Sequence, residues 1–295
     1  MSVDFEQLVA PYRGELQAHC YRMLGSVQDA EDVLQETLVR AWRGFARFDR
    51  RSVRAWLYKI ATNRCLTLLE RRDRRALPMD VTSDDPLWLE PYPSDPSSSY
   101  VTRESVELAF MAALHHLSAL QRAVLVLREV LEFSASEVAS LLDTTIPAVN
   151  SALQRARRAV GPHLPAVTQQ SALAKVDVRK LAAKYTHAWE TGDLEAIIGM
   201  LASDAKYAMP PLPEWYTGHA EIRAFLLRGP LTCRWRFLST EANGQLAFAT
   251  YMWDNGLYTP GGLDVLTIDG TKITQVTAFL TADFSRYGLP SSLPG

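Results

Sequence analysis

The sequence predicts a multidomain chain: two all-α helical domains followed by an α+β domain. Three observations predict it. Apolar residues recur at helical spacing up to about residue 72, and again from about 100 to 160. Between these stretches, Leu77–Ser99 turns polar and proline-rich, with Pro78, Pro86, Pro91, Pro93 and Pro96 among serines and aspartates. After Val176, short helical segments give way to alternating stretches typical of strands. A length of 295 residues has room for two or three such domains.

The elements follow in order. Phe5, Leu8, Val9, Tyr12, Leu16, Cys20, Met23 and Leu24 form one helical stripe that Gly25-Ser26 breaks. Ser26 is placed to cap a second helix, with Asp29 three residues on. Val33, Leu34, Thr37, Leu38 and Ala41 are the inner stripe of that helix. Phe45–Ser52 is polar and irregular. A third helix spans about Val53–Arg72, with Leu57, Ile60, Ala61, Cys65 and Leu68 inward. In the linker, Leu87-Trp88-Leu89-Glu90-Pro91-Tyr92 is too apolar for a solvated tether and predicts docking on another surface. Helices are expected at Tyr100–Leu117, Ala119–Val130, Ser134–Leu142 and Ile146–Val160, stopped by Gly161-Pro162 and Pro165. Helices at about Val176–Trp189, Leu194–Met200 and Ala220–Leu227 precede strands at Leu231–Thr240, Gln245–Trp253, Leu263–Ile268 and Lys272–Phe279. A Pro-rich loop covers Met209–Pro213, and Asp269-Gly270 signals a tight turn. Helices followed by an antiparallel run argue for an α+β domain.

Charge is unevenly spread behind the net value of −2. From Arg43 to Arg75 there are eleven Lys/Arg against three acids; from Ala76 to Glu107 there are seven acids against Arg103 alone. A basic block beside an acidic one predicts an anion-binding surface next to a linker able to compete for it. Cys20, Cys65 and Cys233 are widely spaced, with no CxxC and no metal spacing, and are expected to remain thiols. His187 and His219 lack partners at metal spacing and read as structural. Neither a metal nor a cofactor is expected. No signal peptide is visible and no apolar run reaches the ~18–20 residues of a membrane helix, so a cytoplasmic protein without a membrane partner is expected.

The strongest local motif is a helix-turn-helix in Phe133–Arg158. Glu137, Val138, Ala139, Leu141 and Leu142 build its first helix, with small Ala139 where two helices cross closely. Thr144-Thr145 offers an N-cap and Pro147 falls in the first turn, where its missing N–H costs nothing. Val149 and Leu153 point to the core. Ala148, Asn150, Ser151, Gln154 and Arg155 point outward, as side chains that read a major groove must. Arg157 and Arg158 suit phosphate.

Taken together, DAEDVLQETLVRAW (Asp29–Trp42), the basic stretch after it and FSASEVASLLDTTIPAVNSALQRARR (Phe133–Arg158) resemble the two conserved domains of a bacterial sigma factor of the extracytoplasmic-function type. YTHAWETGDLEAIIGMLASDAKYAMPPLPEWYTGHAEIRAFL (Tyr185–Leu226) resembles the SnoaL-like branch of the NTF2-like fold, a cone of bent sheet closed by helices. With WLEPYP in the linker, the chain is similar to the actinobacterial subgroup whose SnoaL-like extension controls the factor in cis. The resemblance implies sigma region 2 over residues 1–76, a linker over 77–103, sigma region 4 over 104–165 and the SnoaL-like domain over 175–290. It implies two partners: core RNA polymerase, through its largest and second-largest subunits, and promoter DNA.

The resemblance also distributes the site residues. Asp29, Asp32, Gln35, Glu36 and Arg40 would face polymerase. Arg50, Arg51, Ser52, Val53, Trp56, Lys59, Asn63, Arg64, Arg71 and Arg72 would read and melt the −10 element, combining cations for phosphate with a pocket for an unstacked base. Thr145, Ala148, Asn150, Ser151, Gln154, Arg155, Arg157 and Arg158 would read the −35 element. Related factors usually place glycine where Asp143 stands. Leu87, Trp88, Leu89 and Tyr92 would dock the linker.

These readings favour a non-enzymatic sigma factor whose tail touches the linker. The alternative is a small-molecule-binding or acid–base domain fused to a DNA-binding module. For it, Asp254, Asp264 and Asp283 are the candidate acids and Tyr207, Tyr251 and Tyr258 their candidate partners. Trp189, Met209, Trp215, Trp235, Phe237, Phe248, Trp253 and Phe279 would line its cavity or form a packed core. A one-component repressor is disfavoured, since it needs neither a polymerase-docking helix nor a melting domain.

Overall fold

The computed structural model describes residues 3–48, 52–73, 89–93, 106–164, 168–174 and 177–295. Two compact units emerge: residues 1–89 with 108–164, and residues 90–107 with 165–295. The chain leaves the first unit at Glu90 and returns to it at Leu108.

The helical unit begins with α1 (Val3–Val9), α2 (Arg13–Leu24), α3 (Val27–Gly44) and α4 (Val53–Asp73). Ser26 caps α3 as its spacing predicts, accepting from the Asp29 N–H at 3.1 Å. Gly25 ends α2 at φ +75°, and a Cβ there would meet His115 Nε2 and Leu89 Cδ2 at 3.1 Å, so both backbone and packing require glycine. Then come α5 (Leu108–His115), α6 (Ala119–Leu125), α7 (Ala135–Leu141) and α8 (Ile146–Val160). The helix expected over Ala119–Val130 changes character at Val126, where a π-helical turn runs to Val130. The helix expected from Tyr100 is described only from Leu108 onward. Ser118 and Ser134 both form capping boxes, with Gln121 and Glu137.

Two buried polar groups hold this unit. Arg122, 6% exposed, donates from Nη1 to the Met23 carbonyl at 2.6 Å and from Nε to Leu114 O at 3.1 Å, tying α6 to the end of α2. His19, fully buried, meets Thr62 Oγ1 at 2.9 Å. Burial, then the nearby Arg22 and Arg54, push His19 down to about 3. The unfolded chain therefore takes up this proton first. The stability it contributes is present above about pH 6.5 and is lost as pH falls toward 3, by up to about 4–5 kcal/mol. Amide exchange in α2 and α4 should accelerate over that window, and His19→Gln should flatten the slope; equal slopes in the two proteins would contradict this account.

The second unit has α9 (Gln169–Leu173), α10 (Val178–Thr191), α11 (Leu194–Met200) and α12 (Gly218–Arg228) against a seven-stranded sheet. Its strands are β1 (Leu201–Ala208), β2 (Trp215–Thr217), β3 (Trp235–Ala242), β4 (Gln245–Asp254), β5 (Leu257–Asp269), β6 (Lys272–Phe279) and β7 (Leu293–Pro294). The order is β2-β1-β6-β5-β4-β3, with β7 on β5. All pairs are antiparallel except β1–β6, which is parallel. The purely antiparallel expectation is thus corrected, and β1 and β2 are additions. Ser203-Asp204 interrupts the alternation in β1, and β2 is only three residues long. The Leu231–Thr240 expectation also shifts: Pro230–Thr232 forms a 3-10 turn, whose Pro230 carbonyl accepts from Trp235 Nε1, and the strand starts at Trp235. Asn243-Gly244 and Asn255-Gly256 both turn with positive φ, as two-residue hairpins of right-handed twist require. The core lies between the sheet and the helices, where Tyr185, Trp189, Phe237 and Phe248 pack together.

Candidate functional sites

Helix α3 presents its outer face through Asp32, Gln35, Val39, Arg40, Trp42 and Arg43. Glu36 is half-buried and already engaged: Arg40 Nη2 reaches it at 2.9 Å and Arg64 Nη2 at 2.7 Å. Burial alone would raise its pKa, but the hydrogen bonds from Arg40 and Arg64 outweigh that and hold it below the ordinary carboxylate range. The residues expected at polymerase and at DNA therefore meet here in one ion-pair network. Val39 and Trp42, 46% and 47% exposed, were not singled out from the sequence. The available signal was that both fall off the buried stripe of α3.

On α4, the Ser52 hydroxyl accepts from the Ala55 N–H at 3.2 Å and so caps the helix. Val53 begins it. Trp56 is half-buried and stacks on Phe48, centroids 4.2 Å apart and planes at 11°. Lys59 Nζ donates to the Ser140 carbonyl at 3.1 Å and to Asp143 Oδ1 at 2.6 Å. Asn63 is half-buried and Arg71 exposed. Arg50, Arg51 and the Arg72 side chain lie outside the described residues. A cleft of about 580 Å³ brings Ser52, Trp56 and Lys59 opposite Glu137, Ser140 and Leu141 of the helix-turn-helix. Arg54, which sequence reasoning passed over, joins the same two parts: it donates to Leu131 O at 3.1 Å and lies 4.5 Å from the Phe133 ring centroid.

Helix α8 is the second helix of the helix-turn-helix. Ala148, Asn150, Ser151, Gln154, Arg155, Arg157 and Arg158 are exposed; Val149 and Leu153 are buried. Thr145 is spoken for locally, its hydroxyl accepting from the Ala148 N–H at 3.3 Å. Arg157 pairs with Glu129. Asp143 takes a left-handed φ of +49° just before the helix.

The linker island divides. Leu87 and Trp88 lie outside the described residues. Leu89 is buried in the helical unit, with its side chain beside Gly25. Tyr92 lies on the second unit, where one buried side chain holds both ends of the linker. The Asn243 N–H donates to Tyr92 O at 2.8 Å, Asn243 Oδ1 accepts from Tyr92 N–H at 2.8 Å, and Asn243 Nδ2 donates to Val106 O at 2.7 Å. Pro93 bridges Ala242 in antiparallel fashion, and Tyr287 Oη donates to the Pro91 carbonyl at 2.5 Å. Farther along, the Gln169 side chain exchanges two hydrogen bonds with the Ile268 backbone where β5 slips register, while its N–H donates to Glu107. Asn243 and Gln169 were not found from sequence; only the Asn-Gly pair at 243–244 signals the first, as a turn.

Within the sheet, Asp264 is buried and accepts from Tyr185 Oη at 3.0 Å. Burial raises its pKa to about 7, against the lowering effect of that hydrogen bond. It borders a cavity of about 60 Å³ with Tyr207, Trp189, Trp235 and Phe237. Asp254 is exposed and bonded by Asn255, Asp283 caps a 3-10 turn, and Tyr251 donates to Pro290 O, so none of these joins Asp264. Tyr258 packs edge-on against Trp253. Among the described residues, no cluster of three or more His, Cys, Asp or Glu could hold a metal, and no helix is long and apolar enough to cross a membrane.

Residues 8–75 match sigma-70 region 2, residues 107–160 match sigma-70 region 4 and residues 182–278 match a SnoaL-like domain. ECF RNA polymerase sigma factor SigG of Mycobacterium tuberculosis is 42% identical over 98% of this chain and 85% of its own length. The chain belongs to the extracytoplasmic-function sigma factors. This sigma factor binds core RNA polymerase and directs transcription initiation. SigJ of M. tuberculosis is 29% identical over 69% of this sigma factor and 63% of its own length. The SigJ crystal structure superposes with a TM-score of 0.65 at 22% identity, covering 96% of this chain and 99% of that one, and so shares its fold.

Proposed function

We propose that the exposed face of α3 docks on core polymerase, that the start of α4 reads and melts the −10 element, that α8 reads the −35 element, and that the SnoaL-like unit controls initiation by holding the linker. The observation that carries the control reading is the Asn243 clamp, which grips Tyr92 and Val106 at the two ends of the linker. A segment held at both ends limits how far the two DNA-reading halves can separate. Run-off transcription with core polymerase, comparing the full chain with a truncation ending near Thr168, tests it. Unequal activity of the two proteins supports control in cis; equal activity at every concentration removes it.

Trp42 and Val39 sharpen the polymerase reading. Exposed apolar side chains beside a charged stripe are the composition of an interface centre. Trp42→Ala should weaken core binding about 10-fold or more with little change in unfolding midpoint. Unchanged affinity would move the docking face elsewhere.

A second reading is favoured by the cavity beside Asp264, which the buried Trp189 indole also lines. A compact neutral molecule with one acceptor fits that chemistry, and a thermal-shift panel of small carbonyl compounds tests it. No shift in wild type, or the same shift in Trp189→Phe, discards the site.

A further inference from the structure

We propose that the Asp143 carboxylate competes with promoter DNA for Lys59, acting as a latch that closes the α4 reading face onto the helix-turn-helix in the free factor. The inference rests on the reading of α4 as the −10 face. Its evidence is local to the helical unit. Lys59 Nζ sits 2.6 Å from Asp143 Oδ1 and 3.1 Å from the Ser140 carbonyl, so the ammonium meets two oxygens at the end of α7. These oxygens occupy the role that phosphate oxygens would take on a bound strand. Ser52 and Trp56 open onto the same cleft as Lys59, with Glu137 facing them. A strand reaching the start of α4 therefore meets Glu137 across the cleft and finds Lys59 already engaged until the two parts separate.

The backbone at Asp143 argues that the carboxylate is there for its contact. Its φ of +49° lies where side-chain-bearing residues are disfavoured and where glycine is free of penalty. Aspartate tolerates the conformation, and here its side chain reaches back to α4. The pair is 39% exposed on Lys59 and 73% on Asp143. An exposed pair of this kind is weak, about fivefold at most in an equilibrium, which suits a contact that must open. Arg54, bonded to Leu131 O and lying over Phe133, closes the same joint one turn earlier on α4.

Two experiments on the full chain test the latch. In the first, the zero-length carbodiimide cross-linker converts the Lys59–Asp143 ion pair into an amide with loss of water, read by mass spectrometry. The cross-link should form in the free factor and fall severalfold when core polymerase and a −10 non-template oligonucleotide are added. A cross-link that fails to form, or that persists undiminished in the complex, overturns the latch. In the second, oligonucleotide binding by the factor without core is compared across variants. Asp143→Asn should tighten binding about three- to fivefold, while Glu132→Gln, which removes an exposed charge from the loop before α7, should leave it unchanged. In a Lys59→Gln background the Asp143→Asn gain should vanish. An equal gain from Glu132→Gln, or a gain that survives without Lys59, shows a diffuse charge effect and overturns the latch. If Lys59→Gln leaves oligonucleotide binding untouched while the wild-type factor still forms the cross-link, the reading of α4 as the −10 face is what fails.

Discussion

Asn243→Ala should loosen both ends of the linker and produce the largest change in initiation of any single substitution in the SnoaL-like unit. Asn243 is fully buried and sits at φ +53°. Its amide satisfies the Tyr92 N–H and the Val106 carbonyl. Alanine removes both bonds and must also adopt the left-handed conformation, for a combined cost of about 3–5 kcal/mol. Asn243→Gly loses the same two bonds without the conformational cost and should be milder. Asn243→Asp keeps an acceptor for Tyr92 but sets a carboxylate against the Val106 carbonyl, and should resemble alanine. The measurements are proteolysis between Pro93 and Val106 and run-off transcription. Faster cleavage and altered transcription, graded Gly below Ala and Asp, are expected. Wild-type behaviour of Asn243→Ala in both assays would rule out the clamp.

Asp264 should make the SnoaL-like unit lose stability as pH rises, opposite in sign to the contribution of His19 in the helical unit. With a folded pKa of about 7 against 3.8 for the exposed group, the folded state keeps a proton that the unfolded chain has released. The stability linked to this group is complete below about pH 4, falls through pH 7 and is flat above, a change of about 4 kcal/mol. Asp264→Asn preserves shape and an acceptor for Tyr185 while removing the ionisation. At pH 8 it should therefore exceed wild type by up to that amount, and at pH 4 the two should agree within about 1 kcal/mol. Amide exchange resolved by peptide gives the test, since β4–β6 peptides report Asp264 and α2–α4 peptides report His19. A pH slope in β4–β6 that persists in Asp264→Asn would place its origin in another group.

Much of this was legible in the chain because local physics wrote it there. The caps at Ser26 and Thr145, the buried stripe of α3, the outward set on α8 and the span of β6 all follow from spacing and capping chemistry that need no distant partner. Asp143 was readable as a residue in a position that suits glycine. Ser52 and Thr145 show the limit of that reading. Both suggest DNA contacts by position, yet both hydroxyls are committed to helix N–H groups, and side-chain direction settles which use a hydroxyl serves.

What the sequence by itself determined is the order and kind of the parts: a basic helix, a helix-turn-helix and a SnoaL-like unit, joined by a linker with an apolar island. Each rests on contacts within a few turns or on a motif of fixed spacing. The tertiary structure decided which residues far apart in sequence share a site. Lys59 and Asp143 are 84 positions apart, Tyr92 and Asn243 are 151 apart, and Tyr185 and Asp264 are 79 apart. No local periodicity encodes such pairs, because they form only when packing brings otherwise unrelated segments together and each buried polar group must find whatever partner that packing supplies.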